Sequence, residues 1–263
     1  MIDVGRVKLR VAVRRGDGTR TPLLLMNGIG APLEAMGPLV DAIDPAIEVI
    51  RFDAPGIGGS TLPSAPYRFW MLSSWLARVL DELGHDRVDV LGLSWGGALA
   101  QQFAFTQKAR CRRLVLVGTA TGSIMVPTSP AVLRKMATPR RYRDPLFLRD
   151  SAAGLYGGVA KTHPDRLLAL MHAGSRGGQR RGYVFQLLAG AGWTSLPFLP
   201  VLPQQTLILS GTDDPIIPMA NGRILARMIR RSRLKFYDGG HVDLCVAPET
   251  LVPTIEAFLA ESS

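Results

Sequence analysis

The chain has 263 residues, 47% of them hydrophobic, which suits one α/β domain with an insertion and a large buried core. Its net charge of +10 favours an anionic partner or surface without identifying one. The N-terminal residues alternate charged and apolar positions, and no charge-free apolar run of about 18 residues occurs, so we expect neither a secretory signal nor a transmembrane segment. A soluble, cytoplasmic protein is the resulting prediction.

Strands and helices are predicted to alternate along the chain. The alternation from Val7 to Val13, followed by RRGDGTR, predicts a β-hairpin that leads into TPLLLMNG, a buried strand ending in glycine. The elements predicted next are a helix near 33–43, a strand over 48–53, a helix over 69–83, a strand over 87–93, a helix and a strand over 112–119. Such alternation predicts an α/β fold with a mostly parallel, twisted sheet and helices on both faces.

Residues 120–203 interrupt this alternation with eight prolines between short helical patterns. A structureless loop of that length is rare in a compact domain, so we predict a helical lid inserted after the sixth strand. Residues 1–119 and 204–263 then form the core. The core resumes with the strand QTLILSG, a helix near 220–230, the strand LKFYDGG and a last helix near 248–260.

A serine surrounded by glycines follows the strand over 87–93. The segment from Gly92 to Gly96 fits G-x-S-x-G, in which a serine occupies a strained turn that only small neighbours permit. The pattern alone is weak, but here a strand ends at Leu93 and a helix begins after Trp95. This strand-turn-helix setting predicts that Ser94 is a nucleophile rather than an ordinary loop serine.

A serine hydroxyl needs a histidine base that is itself oriented by a carboxylate. When the serine lies on such a turn, the chain order is serine, acid, histidine, and only His241 lies late enough to be the base. The other histidines are interpreted as structural or lid residues: His85, His163 and His172.

The acid is predicted in the loop after QTLILS. There, GTDDPIIP holds Asp213 and Asp214, and Asp214 is preferred because it stands three residues after Gly211 and four before Pro218. Asp213 remains the alternative, and two later aspartates are weaker candidates, Asp238 and Asp243.

The negative charge that develops on the attacked carbonyl needs two backbone N–H donors already in place. One is expected at Trp95, directly after the nucleophile. The other is expected at Ile29, where Gly28 lets the loop after the first buried strand approach the site. Asn27 replaces the more usual histidine, which leaves the role of its side chain open.

Metal and nucleotide sites are not indicated. Cys111 and Cys245 are far apart in apolar stretches and are expected to be reduced core residues. No Cys/His spacing typical of a metal site occurs. The stretch DAPGIGGS lacks the third glycine of a dinucleotide motif and is interpreted as a turn at the mouth of the site. No cofactor is expected.

Nine stretches between residues 27 and 218 resemble the intracellular medium-chain-length polyhydroxyalkanoate depolymerases of the α/β-hydrolase superfamily. They are NGIGAPLE, FDAPGIGGS, PYRF, GLSWGGALAQQFA, IMVP, ATPRRY, YGG, GWTS and GTDDPIIP. The resemblance implies hydrolysis of poly(3-hydroxyalkanoate) esters with medium-length side chains on storage granules. It also implies a triad of Ser94, Asp214 and His241, in agreement with the assignment from the residues.

Two other functions remain open. An acyltransferase, thioesterase or small-ester carboxylesterase could use the same serine, and a non-catalytic binding protein could keep the same fold. Apolar lid residues suit an aliphatic substrate chain for each of these enzyme functions. Three of them are candidates for substrate binding: Leu155, Tyr156 and Trp193.

The positive charge is concentrated in the predicted lid. Residues 120–203 hold eleven Lys and Arg against three Asp, a net +8 of the total +10. The basic lid is therefore either a solvated face or a surface that steers the enzyme to a granule with an anionic coat, which would make it granule-associated. Nucleic acid is not expected as a partner because no base-reading motif is present.

Overall fold

The computed structural model describes residues 1–137, 140, 144–173 and 180–261. Within these ranges the strands are β1 (Ile2–Asp3), β2 (Lys8–Leu9), β3 (Val11–Arg14), β4 (Leu23–Met26), β5 (Val49–Phe52), β6 (Val88–Leu93), β7 (Cys111–Val117), β8 (Gln205–Gly211) and β9 (Ser232–Tyr237). β1 and β2 pair with each other, and the other seven strands form the main sheet.

The described helices are α1 (Gly37–Ala42), α2 (Phe69–Leu83), α3 (Trp95–Thr106), α4 (Pro130–Met136), α5 (Pro145–Tyr156), α6 (Val159–Thr162), α7 (Pro164–Ala173), α8 (Arg180–Gly190), α9 (Met219–Met228), α10 (Asp243–Val246) and α11 (Val252–Ala260). Three 3₁₀ turns accompany them, at Leu33–Met36, Leu199–Val201 and Pro248–Thr250. None of the helices in the described ranges is both long and apolar enough to cross a membrane.

The main sheet has the strand order β3-β5-β4-β6-β7-β8-β9. β3 runs antiparallel to β5, and the remaining neighbours are parallel. The predicted parallel sheet is thereby confirmed, but the predicted hairpin between β3 and β4 is wrong, because β5 lies between these two strands. β4 is buried along its whole length, because β5 and β6 pair with its two edges and the sheet is covered on both faces.

Two apolar layers cover the two faces of the sheet. Leu24 and Met26 of β4 point into the layer beneath α2 and α3, whereas Leu23 and Leu25 point into the layer beneath α1 and α11. This alternation follows from the two-residue period of a strand, and it shows why a strand buried on both faces has no polar alternation in its sequence.

The connection between β7 and β8, residues 118–204, contains α4 to α8 and the predicted lid. It follows the seventh strand of the chain, which is the fifth strand of the main sheet, rather than the sixth as predicted. Its two ends are joined to each other, because Ser123 N–H donates to the Trp193 carbonyl at 2.7 Å and Ser195 N–H donates to the Thr121 carbonyl at 3.0 Å. A separate apolar cluster that includes Leu148 and Leu155 packs this connection against Ile216 and Val242 of the core.

Candidate active site

After β4, the chain adds β5 on one side of this strand and then β6 to β9 on the other side, so the strand order reverses at β4. In open α/β sheets, ligands bind at such a reversal, beyond the carboxyl ends of the strands. The loop from Asn27 to Gly30 follows β4 there, and Ser94 follows β6. A Cβ placed on Gly28 would lie 3.8 Å from Ser94 Cβ, so the two strand ends meet.

Ser94 occupies a strained turn between β6 and α3. Its φ of 57° and ψ of −119° make it the only residue other than glycine with positive φ in the described ranges. Such a conformation costs about 1–3 kcal/mol and persists only where its surroundings fix it. Thr119 contributes by donating its hydroxyl to the Ser94 carbonyl at 2.7 Å.

The glycine after Trp95 is required by close packing. A Cβ on Gly96 would lie 2.0 Å from the Met26 carbonyl oxygen, so α3 can start this close to β4 only without a side chain at this position. A Cβ on Gly92 would in turn lie 2.4 Å from the Gly96 carbonyl oxygen. The G-x-S-x-G pattern therefore allows the backbone approach that brings Ser94 to the sheet edge.

His241 and Asp214 form a buried pair. His241 Nδ1 lies 2.8 Å from Asp214 Oδ2, and their side chains are 4% and 0% exposed. Since a carboxylate only accepts hydrogen bonds, Nδ1 carries the proton, and Nε2 of the neutral ring is an acceptor. The other Asp214 oxygen accepts the Ile216 and Ile217 amides at 2.8 and 2.9 Å, which fixes the carboxylate in place.

The alternative acids have other partners. Asp213 accepts Gly158 N–H at 2.7 Å and pairs with Lys161 at 2.5 Å, and these two bonds lower its pKa. Asp243 accepts Gly240 N–H at 2.9 Å, and burial raises its pKa. Asp238 accepts the Thr212 hydroxyl at 3.4 Å. The structure thus brings Asp214, and not its neighbours, to His241.

The other histidines lie elsewhere in the molecule. His85 Nε2 is 2.6 Å from Glu48 Oε1, and His163 is exposed beside the Thr162 hydroxyl. The side chain of His172 lies outside the described part of the chain.

A cleft of about 450 Å³ opens beside Ser94 and His241. Most of its wall is apolar, and Cys245 also lines it, with a pKa that burial raises to about 12. The apolar lining includes Met136, Tyr156, Leu170, Met171 and Val242. Among the described residues that line the cleft there is no Lys, Arg, Asp or Glu.

The three candidate substrate-binding residues lie in different places. Tyr156 lines the cleft. Leu155 is fully buried in the apolar cluster that the β7–β8 connection forms with Ile216 and Val242. Trp193 packs on Phe69 with ring centroids 4.9 Å apart and donates Nε1–H to Gln102, so it contributes to the core beside α2 and α3 rather than to the described cleft lining.

The two candidate oxyanion donors flank the serine. Trp95 is the first residue of α3, where an amide has no acceptor within its own helix. Ile29 lines the cleft from the β4 side. The side chain of Asn27 holds this loop, because its amide donates to the Pro32 carbonyl at 2.9 Å and its oxygen accepts Gly28 N–H at 2.8 Å.

Sequence reasoning missed several residues of this site. Thr119, two residues after the end of β7, could have been suspected from its position at the edge where Ser94 lies. Leu170, Met171 and Val242 could not, since they come from separate elements and carry no pattern except ordinary hydrophobicity.

Comparisons with known proteins identify the family of the chain. The family model of the alpha/beta hydrolase fold matches residues 21–248. The chain belongs to the α/β-hydrolase family. This α/β hydrolase is 47% identical over 261 residues to the poly(3-hydroxyalkanoate) depolymerase of Ectopseudomonas oleovorans, a match that covers 99% of the chain and 92% of the relative.

More distant α/β hydrolases match along nearly the whole chain as well. 3-oxoadipate enol-lactonase 2 of Acinetobacter baylyi is 24% identical over 93% of this chain and 90% of its own. The crystal structure of the enol-lactonase from Burkholderia xenovorans LB400 superposes with a TM-score of 0.83 at 26% identity and covers 97% of both chains. The predicted fold and the predicted resemblance are confirmed, and the protein is an ester hydrolase.

Proposed function

We propose that this α/β hydrolase cleaves the ester bonds of poly(3-hydroxyalkanoate) with medium-length side chains through a serine acyl-enzyme. One observation carries the proposal. Ser94, in a strained turn, lines the same cleft as His241, whose ring is hydrogen-bonded to the buried Asp214. A strained serine beside an oriented histidine is the arrangement that serine hydrolases use to make a nucleophile.

The proposed reaction has two halves. Ser94 Oγ attacks the ester carbonyl while His241 Nε2 takes its proton, and the Ile29 and Trp95 amides bind the oxyanion. The ester C–O bond then breaks, and His241 returns the proton to the leaving 3-hydroxyl oxygen. A water molecule next loses a proton to His241 and attacks the acyl-enzyme. The bond between the acyl carbon and Ser94 Oγ then breaks, His241 returns the proton to Oγ, and a 3-hydroxyacyl acid or oligomer is released. Asp214 keeps the imidazole in its working tautomer throughout.

The substrate class is supported by the cleft and by the relative. A lining of Met, Leu, Val and Tyr side chains suits an aliphatic chain, and a carboxylate on the substrate would find no cation in the described lining. The depolymerase named above matches the chain over almost its full length.

The β7–β8 connection is proposed to be a lid over this cleft, because Met136, Tyr156, Leu170 and Met171 reach the cleft from it. Its basic face is proposed to meet the coated surface of a storage granule in the cytoplasm. Arg134 and Arg149 are exposed on this connection, as are Arg180 and Arg181, whereas Arg141, Arg143 and Arg176 lie outside the described residues.

The function is tested with granules of medium-chain and of short-chain polyester. We expect the protein to release 3-hydroxy acids from medium-chain granules, and a fluorophosphonate to label Ser94. Ser94→Ala should lose both reactions and stay folded, while the control Ser74→Ala, on the exposed side of α2, keeps both.

Three outcomes would contradict the proposal. Hydrolysis by folded Ser94→Ala would exclude the mechanism. Turnover of lactones or small esters without release from granules would exclude the polymer as substrate. Product acids appearing only as thioesters, when an acyl acceptor is added, would replace hydrolysis by acyl transfer.

A further inference from the structure

Gln186 is a buried amide of α8 that lies outside the proposed triad and oxyanion hole. It is 1% exposed. Its Oε1 accepts Gly30 N–H at 2.7 Å, and its backbone carbonyl accepts Trp95 Nε1–H at 2.9 Å. One residue of the β7–β8 connection is therefore bonded to the loop after β4 and to the residue after Ser94.

Both partners adjoin the proposed oxyanion hole. Gly30 directly follows Ile29, and the indole that reaches Gln186 belongs to Trp95 itself, whose backbone amide is the other donor. Hydrogen bonds to the next peptide and to the side chain fix the directions in which the two amides point. Those directions matter, because an oxyanion donor acts only within about 2.7–3.1 Å of the oxygen.

The position of α8 is fixed by contacts away from the cleft. Arg68 Nη1 donates to the carbonyls of Leu188 and Ala191 at 2.8 and 3.0 Å, at the end of the helix. At its start, a Cβ on Gly182 would lie 2.1 Å from the Gly56 carbonyl oxygen, so the helix backbone rests directly on the loop after β5. Gln186 lies between these two anchors.

The geometry points to Gln186 as a positioning residue that aligns both oxyanion donors when α8 is seated on the core. The inference rests on the proposed serine mechanism and goes beyond it by making the oxyanion hole depend on the β7–β8 connection. Moving α8 away would break both Gln186 bonds at once, so the hole would be complete only with the connection closed over the substrate.

A residue that acts in this way affects the transition state more than the bound ester. Because the oxyanion forms only during the reaction, loss of alignment lowers kcat and leaves KM nearly unchanged. Removing one complete oxyanion donor costs about 100- to 1,000-fold in kcat, so misaligning donors that are still present costs less.

The test uses a small soluble ester and two variants. Gln186→Leu removes the acceptor of Gly30 N–H, and we expect kcat to fall about 10- to 100-fold with KM within about threefold. Trp95→Phe removes the indole donor, keeps the backbone amide and should show a smaller fall of the same kind. The control is Gln204→Leu, which removes a buried glutamine directly before β8, at the amino end of the sheet and away from Ser94, whose amide donates to the Ala104 carbonyl at 2.9 Å.

Gln186→Glu separates positioning from packing. Protonated glutamic acid keeps a carbonyl oxygen for Gly30, whereas the ionised carboxylate places a negative charge beside the developing oxyanion. We expect the ratio of the variant's kcat to that of the unchanged protein, measured at the same pH, to lie near one at low pH and to fall as pH rises.

Two results would overturn the inference: kcat of Gln186→Leu and Trp95→Phe equal to that of Gln204→Leu, or losses confined to KM or to stability. Failure of the serine mechanism is distinguishable from both, since it would appear as activity retained by Ser94→Ala. If Gln186→Leu does not fold, Trp95→Phe and Gln186→Glu decide the question.

Discussion

The carboxyl edge of the main sheet and the β7–β8 connection are built in opposite ways. At the edge, Asp214 and His241 are buried and bonded to each other, and glycine positions allow backbone contact around Ser94. The connection carries most of the net charge, and eight of the eleven exposed large hydrophobic side chains in the described ranges lie in residues 120–203. The edge thus holds its polar groups in one fixed geometry, whereas the connection exposes both charge and apolar side chains to solvent.

Polar bonds join the two regions at several points. Asp213 and Asp243 accept the amides of Gly158 and Val159, between α5 and α6. Elsewhere, Gln186 of the connection accepts Gly30 N–H from the loop after β4. We therefore expect changes at the edge to remove the chemistry, and changes in the connection to alter stability or substrate approach, except at Gln186, where kcat itself should fall.

The largest effect is expected at the edge, from exchanging one carboxylate for an amide. Asp214→Asn should lower kcat by about 1,000- to 10,000-fold with little change in KM, because the amide no longer holds His241 in its working tautomer. The matched change Asp213→Asn should stay within a few-fold, since Asp213 contacts Lys161 and Gly158 instead of His241. Steady-state kinetics on a soluble ester measure both, and the reverse ranking would move the acid to position 213.

The positions of Ser94 after a strand and of Asp214 beside His241 could be predicted because their sequence signals are local. The glycines around Ser94 and the strand before them lie within a few residues, and so does the Asp213-Asp214 pair after β8. Helix α2 was predicted at its observed bounds, since its amphipathic period and Gly84 are both local features. The hairpin was wrong because β3 pairs with β5, about forty residues away, and short-range patterns carry no information on such pairing.

The connection was predicted only in outline. Its helical character follows from proline and helix patterns, but the contacts of Gln186 and Tyr156 depend on how α5 and α8 dock on the core. Trp193 illustrates the limit, since an aromatic residue in this segment suits an oily substrate, yet its ring packs on Phe69. Tertiary packing decides which apolar side chains face the cleft, and one sequence cannot specify it.

A second prediction concerns the junction of α5 with the edge. Gly157 has a φ of 65° and a ψ of −162°, and a Cβ there would lie 1.8 Å from the Asp213 carbonyl oxygen. Gly157→Ala should lower the free energy of unfolding by roughly 2–4 kcal/mol through strain and displacement of this contact. Urea unfolding at neutral pH gives the value.

Gly154→Ala is the matched control within the same helix. Nothing lies within 4 Å of a Cβ at Gly154, so alanine should stabilise α5 by up to about 1 kcal/mol. Equal stabilities for the two variants would show that the junction is not a tight anchor, and the contrast between the two regions would lose its structural basis.

The smallest effect is expected at the exposed face of α8, where Arg180 and Arg181 precede the exposed Val184, Leu187 and Leu188. If this face meets a granule with an anionic coat, Arg180→Glu/Arg181→Glu should weaken adsorption about tenfold at low salt, because exposed charges attract over the Debye length of about 10 Å at 0.1 M salt. Co-sedimentation with native, coated granules at increasing NaCl measures this adsorption.

The matched control is Arg230→Glu/Arg231→Glu, an exposed pair before β9 at the amino end of the sheet, away from the cleft. Hydrolysis of a soluble ester should stay unchanged in both variants, since neither pair lines the cleft. Equal adsorption by both variants, insensitive to salt, would mean that the charge of the connection is a solvated face, and that apolar contact alone brings the polymer to Ser94.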